Sequence, residues 1–517
     1  MSVANRKIPK RILDKDLDKF TNVEEAARFL GRGLFAPGLA LLFLASAAIV
    51  ASFYVFGEPR GAMVIAAAAI AGYMALNIGA NDVANNVGPA VGARAITLGG
   101  ALIMAAVAET AGALLAGGRV VETIASGIIF PETVSDPDIL VRVMVAALVA
   151  SASWIHLSTW LHAPVSTTHA IVGGVVGAGA AAAGLSAINW SSMGAITASW
   201  VFSPVLGGAI AALLLAFVET AIIYKDDKIA AARRWVPLLI ASMAGAFAAY
   251  LATLGIGKVI VLETPTVATI GAGFFVSAWV VFHRIVARQS KGLENRNQSL
   301  RRLFVIPLVI SAGLLSFAHG ANDVANAVGP LAAIISANAG AVSTEATVPF
   351  WVMLIGALGI SVGLLLFGPR LIRIVGAEIT KLNPLRAFCI ALSTAFTVIV
   401  ASWLGLPVST THIAVGSVFG VGFYREWSAI SSIRRRAYLH RKSELLRNEA
   451  ALPEPVVASP VPADPRAGGK KGSQQEIIRR RLVRRAHVRT IVAAWVTTVP
   501  ASAGLAALFF YLLGIVS

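Results

Sequence analysis

Apolar runs of membrane-crossing length recur along the whole chain. They predict helices near 35–56, 62–80, 97–116, 140–160, 195–222, 235–256, 265–282, 303–322, 350–368, 387–404 and 490–514. About 20 apolar residues cross a bilayer. Two further apolar stretches, 171–185 and the run ending at Gly422, each follow a short hydroxyl-rich segment. The expected architecture is an all-α polytopic membrane protein with about 12–13 membrane segments.

Composition sharpens this picture. Of 517 residues, 57% are hydrophobic and only 13% charged, against about 25% charged in soluble domains; mean hydropathy is +0.77. The net charge of +17 would suggest nucleic acid in a soluble protein. Here the basic residues gather in a few loops, so the positive-inside rule explains most of them and no nucleic-acid partner is expected. Cys389 is the single cysteine, which excludes an internal disulfide and argues against a transition-metal site. The lead 1–33 is too long and polar for a signal peptide, so 34–57 is expected as an extra first span rather than a cleaved segment.

Polar residues interrupt the runs at two places that match each other. GANDVANNVGP (79–89) returns as GANDVANAVGP (320–330), with ten of eleven letters identical. Each copy holds a carboxylate, Asp82 or Asp323, and two amides, Asn81 and Asn85 or Asn322 and Asn326. Such groups at membrane depth are costly unless they line a cavity or bind something. The neighbouring glycines and proline are expected to let the helix open and free carbonyls for an ion. A polar patch that glues two helices is the competing explanation.

A second motif is also duplicated: PVSTTH at 164–169 and at 407–412. Proline followed by hydroxyls and an apolar run marks a helix start, with Ser166 and Ser409 as N-caps. A helix N-terminus supplied with Thr167, Thr168, Thr410 and Thr411 is an anion site without competing charge. Each motif lies between two apolar runs, so each pair is expected to form a hairpin with the motif at its tip.

The two halves also align over 114–129 with 365–380 and over 198–215 with 493–510. The expected organisation is a lead (1–33), the extra span (34–57), repeat 1 (61–222), connecting spans with a basic loop (223–302), repeat 2 (303–424), a basic cytoplasmic loop (425–489) and the final span of repeat 2 (490–517). Basic loops at 224–235 and 283–302 place both on the cytoplasmic side. Span 303–322 then runs opposite to 62–80, giving two inverted-topology repeats with discontinuous helices and paired hairpins.

An oxyanion in a dry core beside Asp82 and Asp323 needs cations with it. Carboxylate and amide oxygens suit sodium, and a carboxylate alone can carry a proton. Ion-coupled symport is the expected chemistry. Glu109, aligned with Ile360, is an accessory candidate as proton carrier or helix anchor. His169 and His412 are candidates as anion donors, pH sensors or packing groups. His319 stands where repeat 1 has Ile78 and is left out of the duplicated machinery. No Walker lysine, HExxH or GxSxG is present, so an enzyme is not expected.

GANDVANNVGP, GANDVANAVGP and the two PVSTTH segments resemble the inorganic phosphate transporter (PiT) family. The resemblance runs from about Gly61 to the C-terminus, apart from 425–489. It implies a secondary symporter that imports inorganic phosphate, as the free anion or as a metal phosphate, across the plasma (inner) membrane. Co-transported Na+ or H+ is implied, with no cofactor, and a homodimer in the lipid bilayer. By matching positions, Ser166, Thr167, Thr168, Ser409, Thr410 and Thr411 take phosphate together with Asp82 and Asp323. Asn81, Asp82, Asn85, Asn322, Asp323 and Asn326 handle the cation. A sulfate symporter of the same fold and a membrane scaffold acting through the basic loop are the alternatives.

Overall fold

The computed structural model describes residues 12–58, 60–130, 133–134, 136–161, 165–254, 262–338, 348–378, 383–431 and 485–516. The start of the lead, parts of the polar loop 131–138, Pro164 and most of the loop 425–489 lie outside these residues. Sixteen helices make up the described fold: α1 (Ile12–Val55), α2 (Gly61–Gly92), α3 (Leu98–Ala116), α4 (Gly118–Ser126), α5 (Pro137–Trp160), α6 (Thr167–Ala183), α7 (Trp190–Val218), α8 (Lys228–Leu254), α9 (Thr264–Gln289), α10 (Asn297–Leu303), α11 (Val305–Asp323), α12 (Ala325–Asn338), α13 (Phe350–Glu378), α14 (Pro384–Trp403), α15 (Thr410–Ser431) and α16 (Arg485–Val516). Strand pairing among the described residues is limited to one bridge, Ile129 with Ile188.

Among the described residues, eleven segments are long and apolar enough to cross a membrane. Adding α6 and α15, which follow the hydroxyl motifs, brings the total to the upper end of the expected 12–13. The chain is therefore an all-α, multi-pass integral membrane protein. The first apolar span is Leu34–Val55, and the described part of the lead is helical and continuous with it in α1.

Both hydroxyl motifs open helices as expected. Ser166 Oγ accepts from the His169 N–H at 3.1 Å, and Ser409 Oγ from the His412 N–H at 3.3 Å. These are N-cap bonds, each satisfying a first-turn donor that has no partner within the helix. Residues α5 and α6 lie side by side: Ser151 Oγ donates to the Ala170 carbonyl, and Gly174 abuts Ala147. The sequence numbers fall on one arm as they rise on the other, as in an antiparallel hairpin.

The two GANDVAN copies behave differently. The first does not open: α2 runs unbroken through it and carries Pro89 near its end. The second breaks at Val324, where α11 ends and α12 begins. There the Val324 N–H reaches the Gly320 carbonyl at 3.4 Å, and Ala327 N–H turns to the Val324 carbonyl at 3.2 Å. The motifs themselves differ only at Asn86 and Ala327. The glycines and the proline are common to both copies, so they alone do not decide the break.

Contacts between the halves come in matched pairs. A Cβ at Gly79 would strike the Ile360 carbonyl, and one at Gly320 the Glu109 carbonyl. Likewise Gly363 meets Leu76 and Gly112 meets Phe317. Each pair of helices, α2 with α13 and α3 with α11, takes one member from each repeat. The same exchange recurs outside: α16 packs on α6, and α7 on α15. In lipid, small residues that let backbones touch replace the hydrophobic drive that packs helices in water.

Register along these pairs is informative. On α2 and α13, Ala75 faces Gly359 and Val83 faces Gly368, so both helices run the same way. On α3 and α11, Met104 faces Gly313 and Gly117 faces Val324, again the same way. Between α3 and α13 the order reverses: Leu102 lies at Gly368, while Thr110 bonds Ser361 at 2.7 Å.

The glycine contacts give a direct test. Gly363→Ala puts a methyl group into the Leu76 backbone and is expected to lower stability by about 1–3 kcal/mol. Gly504→Ala, where nothing lies within 4 Å, serves as its control and should be neutral. Thermal unfolding of the purified protein in detergent reads the difference.

Candidate functional site

The tips of the two hairpins meet beside the two GANDVAN segments. Asp82, Asp323, Thr167, Thr168, Thr410 and Thr411 are all buried, as are Ser166 and Ser409. Thr167 Oγ1 donates to Asp82 Oδ2 at 3.2 Å, and its counterpart Thr410 Oγ1 to Asp323 Oδ2 at 3.0 Å. Thr411 Oγ1, from the other hairpin, donates to Asp82 Oδ1 at 3.0 Å.

Amides tie each hairpin to the opposite repeat. Asn85 donates to Thr411 Oγ1 at 2.9 Å. Asn326, its counterpart, donates to Thr167 Oγ1 at 3.3 Å and Thr168 Oγ1 at 3.2 Å. Asn81 donates to Asp82 Oδ1 at 2.9 Å and to the Val165 carbonyl at 3.3 Å, and accepts from Thr159 at 3.3 Å. Asn322 repeats this pattern when its amide is turned so that nitrogen faces the acceptors. It then donates to Asp323 Oδ1 and the Val408 carbonyl, and accepts from Ser402. The match to Asn81 partner by partner supports that orientation.

His319, which the duplicated motifs leave out, lies at the centre of the site. Its imidazole is fully buried among three carboxylates. Nε2 lies 2.9 Å from Asp323 Oδ2 and 3.7 Å from Asp82 Oδ2, while Nδ1 lies 3.2 Å from Glu109 Oε1. Asp82, His319 and Asp323 bring their ligand atoms within 4.8 Å of one another. The available signal was spacing: His319 stands four residues before Asp323, on the same face of a helix. Comparison with Ile78 hid it, because a residue outside the shared pattern can still serve a shared site.

Glu109 joins the site through His319 and through Asn86, whose amide donates to Glu109 Oε1 at 2.9 Å. Asn86 is the one motif position that the copies do not share. Its role is thus specific to repeat 1. His169 and His412 meet edge to face, with ring centroids 4.4 Å apart, and His169 also lies 3.9 Å from the Trp200 ring. These ring contacts pack the two tips against each other.

The arrangement is a buried cluster of acidic, hydroxyl and amide groups drawn from both repeats. Three carboxylates in low dielectric repel one another by several kcal/mol unless cations accompany them. A multi-pass membrane bundle that buries such a cluster at the meeting point of its halves has the form of a membrane transport protein. Residues 78–506 match the model of the phosphate transporter family. The chain is 43% identical to a "Putative phosphate permease" of Helicobacter pylori, over 97% of this chain and 99% of that one. It is 39% identical to the protein of the same description from Pyrococcus abyssi, over 69% of this chain and 88% of that one. A solved structure described as the sodium-dependent phosphate transporter superposes with a TM-score of 0.74 at 31% identity, covering 88% of this chain and all of that one. The chain belongs to the phosphate transporter family and is not an enzyme.

His319 carries a testable consequence for the folded protein. His319→Ile, which installs the repeat 1 residue, leaves three buried carboxylates without the imidazole and is expected to cost about 3–5 kcal/mol. Adding Asp323→Asn should recover part of that loss. Unfolding midpoints in detergent check both; an unchanged midpoint for His319→Ile contradicts the electrostatic role.

Proposed function

We propose that the protein is a secondary symporter that imports inorganic phosphate across the plasma membrane with sodium, by alternating access. The observation that carries this reading is the shared use of Thr167, Thr410 and Thr411, whose hydroxyls donate to Asp82 and Asp323. A hydroxyl has one hydrogen to give. When sodium takes the carboxylate oxygens, those hydrogens turn to the oxyanion, together with N–H groups at the starts of α6 and α15. Cation and phosphate then bind better together than apart, which is the thermodynamic meaning of coupling.

Sodium as the coupling ion draws support from the oxygen-rich donor set of Asp82, Asp323, Asn81 and Asn322. It also draws support from the name of the superposed neighbour. Inversion of the repeats draws support from helix register. α2 runs with α13, α3 runs with α11, and α3 runs against α13. α2 and its counterpart α11 then point opposite ways. Two hairpins entering from opposite faces give one site that each side can reach in turn.

Uptake of labelled phosphate into proteoliposomes, with sodium and proton gradients imposed separately, tests the reading. The sodium gradient alone should drive accumulation; drive by the proton gradient alone overturns the choice of ion. Asp82→Asn should abolish uptake while leaving a folded protein. Ser409→Ala with Thr410→Ala should weaken phosphate binding by about tenfold or more, given the loss of hydrogen bonds to a charged group. Sodium binding should change less; equal loss of both contradicts the division of roles.

A further inference from the structure

Every hydroxyl and carboxylate of the site is buried. Close by, an open cavity of about 580 Å³ is lined by Arg119, Glu122, Thr123, Ser126, Ser192 and the chain at Trp403–Gly405. The tip segment 405–410 runs from this cavity's wall into the site: Gly405 lines the cavity, and Thr410 Oγ1 donates to Asp323 Oδ2. Alternate carbonyls, of Trp403 at the end of α14 and of Gly405 and Pro407 in that segment, are bonded by side chains of α4 and α7. Arg119 Nη1 donates to the Trp403 carbonyl at 2.6 Å, Thr123 Oγ1 to the Gly405 carbonyl at 2.7 Å, and Trp200 Nε1 to the Pro407 carbonyl at 2.9 Å. The Arg119 guanidinium also lies over the Trp403 ring, 6.0 Å from its centroid. Gly405 sits at φ +72°, with Thr123 and Arg119 against it.

Three of these residues have counterparts in the other repeat. Arg119 aligns with Arg370, Trp403 with Trp160 and Trp200 with Trp495. Arg119 and Trp200 bond backbone carbonyls at the tip rather than the carboxylates or hydroxyls of the site. The two sides differ in one respect: Trp403 is 46% exposed and Trp160 71%.

We propose that Arg119, Thr123 and Trp200 form a latch that holds the tip of the α14–α15 hairpin shut over the buried site. Releasing the carbonyls of Trp403, Gly405 and Pro407 lets the tip swing toward the cavity and connects it with Asp82 and Asp323. The arginine supplies a strong but breakable tie, a charge-assisted bond to a carbonyl plus a ring contact. This proposal rests on the symport reading, and it assigns one of the gates that such a cycle needs.

A reversible covalent strap tests it. In a Cys389→Ser background, Thr123→Cys with Gly405→Cys places two thiols across the latch. Oxidation, with bond formation verified by loss of free thiols, should cut the initial rate of phosphate uptake by about tenfold, and reductant should restore it. Full uptake by the cross-linked protein overturns the latch. If the Cys389→Ser protein without the pair takes up no phosphate, the symport reading has failed instead. A second measurement does not need the strained Gly405 position. Val408→Cys is buried at the tip, and a membrane-impermeant maleimide should label it about fivefold faster once Arg119→Ala is added. An unchanged labelling rate overturns the latch independently of transport.

Discussion

Everything in this molecule depends on keeping carboxylates where water does not reach. Asp82, Glu109 and Asp323 are sealed within a bundle of largely apolar helices. Left alone, each would carry a desolvation cost of several kcal/mol. The protein answers with hydroxyl and amide hydrogens and with one imidazole. Because those hydrogens come from both halves, the acidic centre is also the point at which the halves are joined. Asn85 reaches Thr411, Asn326 reaches Thr167 and Thr168, and no partner in these bonds comes from its own repeat.

That joining is imperfect in its symmetry, and the imperfection has chemical content. Thr411 donates to Asp82, whereas Thr168 turns to the Val408 carbonyl. His319 stands opposite Ile78, Glu109 opposite Ile360, and Asn86 opposite Ala327. All three polar substitutions fall around one aspartate cluster. The duplicated frame thus holds an extra buried acid from repeat 1 and an imidazole from repeat 2 that the duplication does not mirror. The two carboxylate sites therefore present different electrostatic surroundings to any cation, even though their first bonds match.

The fold class, the helix starts at Ser166 and Ser409 and most membrane segments were legible in the sequence, because hydropathy and capping are local signals. Duplication made Asp82, Asp323 and the threonines legible as a group. Two kinds of feature were not. The unbroken α2 and the break at Val324 arise from nearly identical letters, so the motif alone could not tell them apart. His319, Asn86, Thr159 and Ser402 depend on contacts more than 20 residues apart or on another element. Looking only for what repeats selects against residues that distinguish the halves.

The glycine contacts that marry helices from different repeats have a consequence for how the chain is made. Gly79 and Gly112 find their partners on α13 and α11, and Asp82 waits for a hydroxyl 329 positions further on. While the ribosome is still translating the second half, the first half sits in the bilayer with bare backbone grooves and a carboxylate lacking that donor. Full settling of α2 and α3 is therefore a late event: it waits for α11, α13 and the second hairpin to join them.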